Sequence, residues 1–161
     1  MSAAPAATRP WERMVHDLRT RLSEAADRDA RMQALVQACW PHLAPSGVSW
    51  IGFYRRDPDH AEQLVLGARE PRPACSPIGM HGACGQCLRS GRPLVVGDVA
   101  DLGAGYIACD PRDRSEVVVP CLDTDGFAWG VLDLDSHQLA NFGPQDAERL
   151  AELLRLAGLS R

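Results

Sequence analysis

The spacing of apolar residues along the chain predicts helices near both ends. Apolar residues recur at helical intervals over residues 10–25, and a second helix carries Met32 and stops near Pro41. A last helix begins at Pro144, because the apolar residues after it fall on one side. A short helix over Ala83–Ser90 is also expected to end at the following glycine.

Shorter apolar stretches between these helices predict strands. They are Val48–Arg55, Leu64–Leu66, Leu94–Val96, Glu116–Leu122 and Phe127–Asp135. The Asp125-Gly126 pair indicates a hairpin between the last two. This order predicts an α+β fold, in which N-terminal and C-terminal helices flank a central antiparallel sheet.

Two long irregular segments, Gly67–Gly82 and Gly97–Arg114, interrupt this pattern. Loops of this length in a compact domain usually bind something. The sequence therefore predicts that the functional residues lie in these loops or beside them.

Composition narrows the class of protein. A chain of 161 residues with 45% apolar and 24% charged residues fits one globular domain, expected over residues 10–158 after a disordered lead-in at 1–9. A net charge of −4 with scattered arginines argues against nucleic-acid binding. No apolar run approaches the roughly 18 residues of a membrane span, and no signal-peptide core is visible. These features predict a cytoplasmic protein with reduced thiols.

The six cysteines fall into two groups. Cys39 lies on the apolar face of a helix and Cys121 within an apolar strand, so both are expected to pack in the core. The other four lie in glycine-rich or proline-rich segments, where reactive thiols are more common. They are Cys75, Cys84, Cys87 and Cys109.

Two chemistries compete for these loop cysteines. Cys84-x-x-Cys87 with Cys75, His81 or Cys109 is a candidate zinc site, although a second CxxC or CxxH is missing. The alternative is thiol redox chemistry, in which one thiolate becomes a sulfenic acid and a second cysteine closes a disulfide. Spacing alone does not choose the nucleophile among the loop cysteines.

Acidic and aromatic residues form two further patterns in the strands. Asp133 and Asp135 point to one face, Glu116 is expected nearby on the neighbouring strand, and an ammonium group would relieve their repulsion. Trp50 and Tyr54 share a face of the first predicted strand, with Gly52 between them. The missing side chain at Gly52 predicts a slot for a methyl or thioether group between the two rings. Solvated strand ends and ordinary core aromatics explain the same patterns without a ligand.

A set of motifs in a fixed order then indicates a family. The motifs are WIGFY at 50–54, PAC at 73–75, GACG at 82–85, VVGDV at 95–99, IACD at 107–110, SEVVVP at 115–120 and GVLDLDS at 130–136. Over about residues 44–155 the chain closely resembles the free methionine-(R)-sulfoxide reductases, which are built on a GAF domain. The resemblance implies a cytosolic homodimer that reduces free methionine (R)-sulfoxide, is regenerated by thioredoxin, and needs no cofactor or metal.

The resemblance also implies roles for individual residues. Cys109 matches the family's nucleophile, Cys75 its usual resolving cysteine, and Cys84 the third thiol, which can also form a disulfide. The residues that match the substrate-binding groups are Trp50, Tyr54, Glu116, Asp133 and Asp135. Tyr106 stands where the family often has histidine, and Cys87 lies outside the family's three cysteines.

One electrostatic difficulty and one alternative function accompany this assignment. Nearby carboxylates would raise the pKa of Cys109, unless the substrate's ammonium or a helix N-terminus offsets them. A GAF domain can instead act as a non-catalytic sensor of a small ligand, such as a cyclic nucleotide. The loop cysteines in family positions favour the enzyme.

Overall fold

The computed structural model describes residues 8–104, 106 and 108–161, and it is built around one antiparallel sheet. The strands are β1 (Val48–Arg56), β2 (Gln63–Glu70), β3 (Ile78–Gly79), β4 (Leu94–Val96), β5 (Ser115–Leu122) and β6 (Ala128–Ser136). Their order across the sheet is β3-β2-β1-β6-β5-β4. The predicted α+β class with a central antiparallel sheet is confirmed.

Four α-helices accompany the sheet in the described part of the chain. They are α1 (Trp11–Leu22), α2 (Arg28–Leu43), α3 (Ala83–Ser90) and α4 (Pro144–Leu156). Helix α2 begins where Asp27 accepts a 2.8 Å hydrogen bond from the amide of Ala30. It continues past Pro41 to the fully buried Leu43, because packing of the last turn offsets the backbone hydrogen bond that proline cannot make.

Apolar side chains cover both faces of the sheet. On one face, α1, α2 and α4 enclose the larger core, which includes Cys39 and Cys121 as expected. On the other face, a smaller cluster contains Trp50, Tyr54 and Cys84. Alternation along β6 places Leu132 and Leu134 on the helix side, so the acidic residues between them and after them face the smaller cluster.

The segment after Leu66 is more regular than its composition suggests. Strand β2 continues to Glu70, which pairs with Ile51, and β3 then pairs with Gln63 and Leu64. The predicted short strand and the predicted loop over 67–82 were therefore wrong in extent. Pairing along β1 outweighs the low strand propensity of glycine, alanine and glutamate in this stretch.

The ends of the predicted elements differ elsewhere by a few residues. Helix α1 ends at Leu22, and the irregular segment after Val96 contains a short 3₁₀ turn at Val99–Leu102. Two positions within that segment, 105 and 107, lie outside the described residues. The remainder of the segment leads into β5 and forms one side of the site described below.

Most of the predicted lead-in, residues 1–7, lies outside the described residues. Arg9 is buried and donates to Asp146 Oδ1 and to the carbonyl of Asn141, both at 2.7 Å. Contacts of the domain thus extend to Arg9. None of the described helices combines the length and the apolar character that a membrane crossing requires.

Candidate active site

A cavity of about 100 Å³ opens on the face of the sheet opposite α1, α2 and α4. Strands β1, β5 and β6 form its floor, and α3, the segment before β3 and the loop before β5 form its sides. Its lining includes Trp50, Tyr54, His81, Cys84, Tyr106, Cys109, Asp113, Glu116, Asp133 and Asp135. The structure thus brings all the sequence-predicted site residues except Cys75 to the wall of this cavity.

Three carboxyl groups lie together on the cavity floor. Glu116 stands directly opposite Asp135 in the β5–β6 ladder, and Asp133 pairs with Val118 one step further on the same face. Glu116 and Asp133 are 4% and 5% exposed and Asp135 is half-buried, so the expected acidic cluster is largely shielded from solvent. Burial, followed by the charges of the neighbouring acids, raises the pKa of Asp133 well above its usual range.

The acidic cluster also contains a carboxyl oxygen that can accept a hydrogen bond from a ligand. Oδ1 of Asp133 is buried and has no hydrogen-bond partner among the described residues. An unpaired buried carboxyl oxygen costs free energy, and that cost is removed when a donor enters the cavity. Burial also raises the pKa of Asp135, with the charge of Glu116 as the next cause. The floor can therefore hold a proton and receive a cation.

Cys84 lines the cavity from the first turn of α3 and is buried. Its Sγ is within 4.8 Å of carboxyl oxygens of Glu116 and Asp133. Burial is the main cause that raises its pKa well above the usual value, and the charges of Asp133 and Glu116 add to it. Cys84 is therefore held as a thiol.

Cys109 and Cys75 meet at the mouth of the cavity, where both residues are exposed. Partial burial of its thiol raises the pKa of Cys109 to about 12, and a hydrogen bond with the Cys75 thiol is the next cause. Asp135 contributes least of the stated causes, so the expected repulsion by carboxylates is present but secondary. A second depression of about 450 Å³ lies on the outer side and is lined by both cysteines. Cys109 thus faces both the inner cavity and the outside.

The two predicted aromatics stand beside the acidic cluster, but the predicted slot at Gly52 does not exist. The ring centroids of Trp50 and Tyr54 are 6.0 Å apart. The indole of Trp50 lies over Gly52, and a Cβ added there would come within 2.2 Å of Cη2. The absence of a side chain at Gly52 therefore accommodates the indole of the protein itself, and the cavity is bounded by the two rings.

Each aromatic also donates a hydrogen bond that the sequence did not indicate. Trp50 Nε1 donates to the carbonyl of Arg72 and the Tyr54 hydroxyl to the carbonyl of Cys75, both at 2.8 Å. These acceptors belong to the segment that carries the Cys75 thiol. No spacing rule connects a strand residue to a loop carbonyl, so the pattern of residues held no signal for them.

Two residues of the loop before β5 join the site unexpectedly. The hydroxyl of Tyr106 donates to Glu116 Oε2 at 3.5 Å. Asp113 lines both cavities, and burial followed by the charge of Asp110 raises its pKa to about 6. His137 Nε2 lies 3.1 Å from Asp110 and 3.7 Å from Asp113. The polar character of this loop was the only sequence signal for Tyr106 and Asp113. That both side chains point into the cavity depends on the tertiary fold.

The possible metal ligands differ from those of the predicted zinc alternative. Within residues 8–104, 106 and 108–161, two groups of three ligand atoms lie within 4.8 Å of one another. They are Cys84, Glu116 and Asp133, and Asp110, Asp113 and His137. Neither group contains Cys87, Cys75 or Cys109, so the geometry gives no support to zinc held by the CxxC pair.

Comparison with known proteins places this geometry in context. Residues 25–160 match the GAF domain family. The free methionine-R-sulfoxide reductase of Saccharomyces cerevisiae is 34% identical over 114 residues, which cover 70% of this chain. The matched region spans 63% of the yeast protein's length.

Two solved structures share both the fold and the length of the chain. The free methionine-R-sulfoxide reductase of Neisseria meningitidis, in complex with its substrate, is 35% identical with a TM-score of 0.73, covering 97% of this chain and 92% of that one. The reduced form of fRMsr of Staphylococcus aureus is 26% identical with a TM-score of 0.81, covering 98% and 97%. The chain therefore belongs to the GAF-domain family of free methionine-R-sulfoxide reductases.

Proposed function

We propose that the protein reduces free methionine (R)-sulfoxide to methionine, with Cys109 as the nucleophile. One observation carries the proposal. Of the six cysteines, Cys109 alone lines the inner cavity and also contacts a second exposed thiol, that of Cys75. Sulfoxide reduction by thiols needs this arrangement, because one sulfur must reach the substrate and another must reach the first sulfur afterwards.

The acidic floor supports a free amino acid as the substrate. The ammonium group of free methionine sulfoxide matches the cluster of buried Glu116 and Asp133 and half-buried Asp135, and it offers donors to the unpaired Oδ1 of Asp133. A methionine sulfoxide within a protein has no such ammonium, since its nitrogen is part of a peptide bond. The cavity is therefore proposed to select free methionine sulfoxide over peptide-bound residues.

The aromatic pair supports the other end of the substrate. The rings of Trp50 and Tyr54 bound the cavity beside the acidic floor, and sulfur and methyl groups contact aromatic rings favourably. With the ammonium on the floor and the methyl group against the rings, the sulfoxide sulfur is directed toward Cys109. This orientation is the proposed basis for selecting the R epimer.

The chemistry balances with the groups present. The sulfur of Cys109 attacks the substrate sulfur and takes over its oxygen, methionine leaves, and Cys109 becomes a sulfenic acid. A carboxyl group of the cluster, kept protonated by its raised pKa, donates a proton to the sulfoxide oxygen. The proton released from the Cys109 thiol then returns that carboxyl group to its protonated form. Binding of the cationic ammonium beside Asp135 also favours the thiolate of Cys109.

The oxidised enzyme is then regenerated through a disulfide. Cys75 is proposed as the resolving cysteine, because it is exposed and contacts Cys109, whereas Cys84 is buried among acids that hold it as a thiol. Thioredoxin is the proposed reductant, since the Cys75–Cys109 pair faces the open depression. As the family resemblance implies, we also propose that the protein acts as a cytoplasmic homodimer.

Turnover coupled to thioredoxin tests the proposal. We expect sustained reduction of free methionine (R)-sulfoxide, and at most traces with the S epimer or with a peptide that contains methionine sulfoxide. Cys109→Ser should abolish the reaction. Full activity of Cys109→Ser would overturn the assignment, and binding of a small ligand without any turnover would point instead to a sensor.

A further inference from the structure

The segment of residues 71–77, between β2 and β3, carries Cys75 and is tied to β1 by two side chains. The indole of Trp50 donates to the carbonyl of Arg72, and the hydroxyl of Tyr54 donates to the carbonyl of Cys75, each at 2.8 Å. The second bond acts on the backbone of the proposed resolving cysteine itself. Tyr54 therefore contacts the substrate cavity with its ring and the Cys75 segment with its hydroxyl.

The sequence of this segment limits how else it can be held. Proline occupies positions 71, 73 and 77, and proline has no backbone N–H to donate to a neighbouring strand. A third bond comes from the other side, where the amide of Leu66 donates to Ser76 Oγ at 3.0 Å. Two of these three bonds thus act at Cys75 and at the residue after it.

We propose that Tyr54 is a positioning residue for disulfide closure, in addition to bounding the substrate cavity. Its hydroxyl fixes the backbone of Cys75 where the thiol contacts Cys109. In closure, the sulfur of Cys75 attacks the sulfenic sulfur of Cys109, the S–S bond forms and the S–O bond breaks, and hydroxide leaves with the thiol proton as water. Closure is fast only when the two sulfurs are held together, so loss of this bond slows closure without removing the aromatic wall.

The inference rests on the proposed function for its substrate, and the Tyr54→Phe variant tests it. Reduced protein is mixed with free methionine (R)-sulfoxide in the absence of other thiols and quenched at intervals. Methionine is measured by chromatography, the sulfenic acid by trapping with a cyclic 1,3-diketone, and the disulfide by peptide mass spectrometry. For Tyr54→Phe we expect closure to slow about five- to tenfold more than methionine release, so that the diketone adduct on Cys109 rises relative to the methionine released.

Two further variants make the comparison specific. Ser76→Ala removes the acceptor on the opposite side of the segment, and it should slow closure in the same way at an exposed position. Tyr106→Phe removes the same chemical group from the other phenol of the cavity, whose hydroxyl is bonded to Glu116. For Tyr106→Phe, the ratio of diketone adduct to released methionine should equal that of wild type.

A parallel experiment with hydrogen peroxide separates this inference from the proposed function. Peroxide transfers an oxygen to the Cys109 thiolate and leaves as hydroxide, so closure can be followed without sulfoxide. A wild-type closure rate in Tyr54→Phe would overturn the inference, as would equal slowing of methionine release and closure. If wild type closes the disulfide after peroxide but releases no methionine from sulfoxide, the proposed function fails while peroxide still decides the role of Tyr54. Should Tyr54→Phe fail to fold, Ser76→Ala tests whether the anchoring of this segment controls closure, and a wild-type closure rate in that variant would overturn the inference.

Discussion

Glu116 and Asp135 face each other directly across the β5–β6 ladder, on the face that bounds the cavity. Two carboxylates in this position repel, and burial of Glu116 adds a desolvation cost. The pKa of each is raised, with burial as the first cause. The fold therefore maintains an unfavourable pair that a cationic substrate would relieve.

The raised pKa values predict that the protein loses stability as the pH rises from acidic values through neutrality. A carboxyl whose pKa is higher in the folded state contributes stability below its unfolded pKa, 3.8 for aspartate, and that stability is lost as pH rises through the folded value. For Asp113, whose folded pKa is about 6, the stability is lost between pH 3.8 and about pH 6. For Asp133 and Asp135, whose pKa values are raised further, the loss extends to higher pH. The free energy of unfolding, measured in urea, should fall between pH 5 and pH 8.

Removing one acid of the cluster should weaken this dependence. Asp133→Asn is expected to raise the free energy of unfolding at pH 8 relative to wild type, because the neutral amide removes the cost of ionising a buried carboxyl group. The same change should abolish turnover, since the ammonium site loses a carboxylate. The control is Asp59→Asn at an exposed turn. If Asp133→Asn and Asp59→Asn have the same free energy of unfolding at pH 5 and also at pH 8, the acidic cluster does not cause the loss of stability with rising pH.

The environments of the cysteines predict different outcomes for their serine variants. Cys75→Ser should release one methionine per protein chain and then stop at the sulfenic acid, so its turnover with thioredoxin falls more than about tenfold. Cys84→Ser should still form the Cys75–Cys109 disulfide, because Cys84 is buried and held as a thiol. Peptide mapping after one turnover checks both. A disulfide between Cys84 and Cys109 in wild type would contradict this order.

The contact between Gly52 and Trp50 predicts a specific effect on substrate binding. Gly52→Ala places a Cβ 2.2 Å from the indole, which must move and lose its bond to Arg72. We expect KM for the sulfoxide to rise about tenfold, equivalent to about 1.4 kcal/mol, together with a lower melting temperature. Gly67→Ala on β2 is the matched control, since its Cβ meets Phe53 at an ordinary 3.4 Å. An unchanged KM for Gly52→Ala would show that the indole does not contact substrate.

The sequence predicted the faces of the strands better than the loops. The period-two alternation correctly placed Asp133 and Asp135 on one face, and the hairpin register then set Glu116 opposite Asp135. Packing positions such as Cys39 and Cys121 followed from their apolar neighbours. Local patterns suffice for these features because each depends on a single strand, helix or hairpin.

Features that depend on contacts between distant segments were not predictable in this way. The pairing of β1 with β6 joins strands that are far apart in the chain, and it decides which residues meet Trp50. The indole over Gly52 and the bond from Tyr54 to Cys75 depend on side-chain direction, which the alternation of residues does not specify. Family resemblance, rather than spacing, selected Cys109 among the loop cysteines.

A single-turnover measurement tests the central claim most directly. Fully reduced protein is mixed with excess free methionine (R)-sulfoxide and no other reductant, and methionine and disulfides are quantified together. The account predicts about one methionine per chain, with a disulfide that maps to Cys75 and Cys109. No methionine, or methionine formed at the wild-type rate by Cys109→Ser, would contradict it.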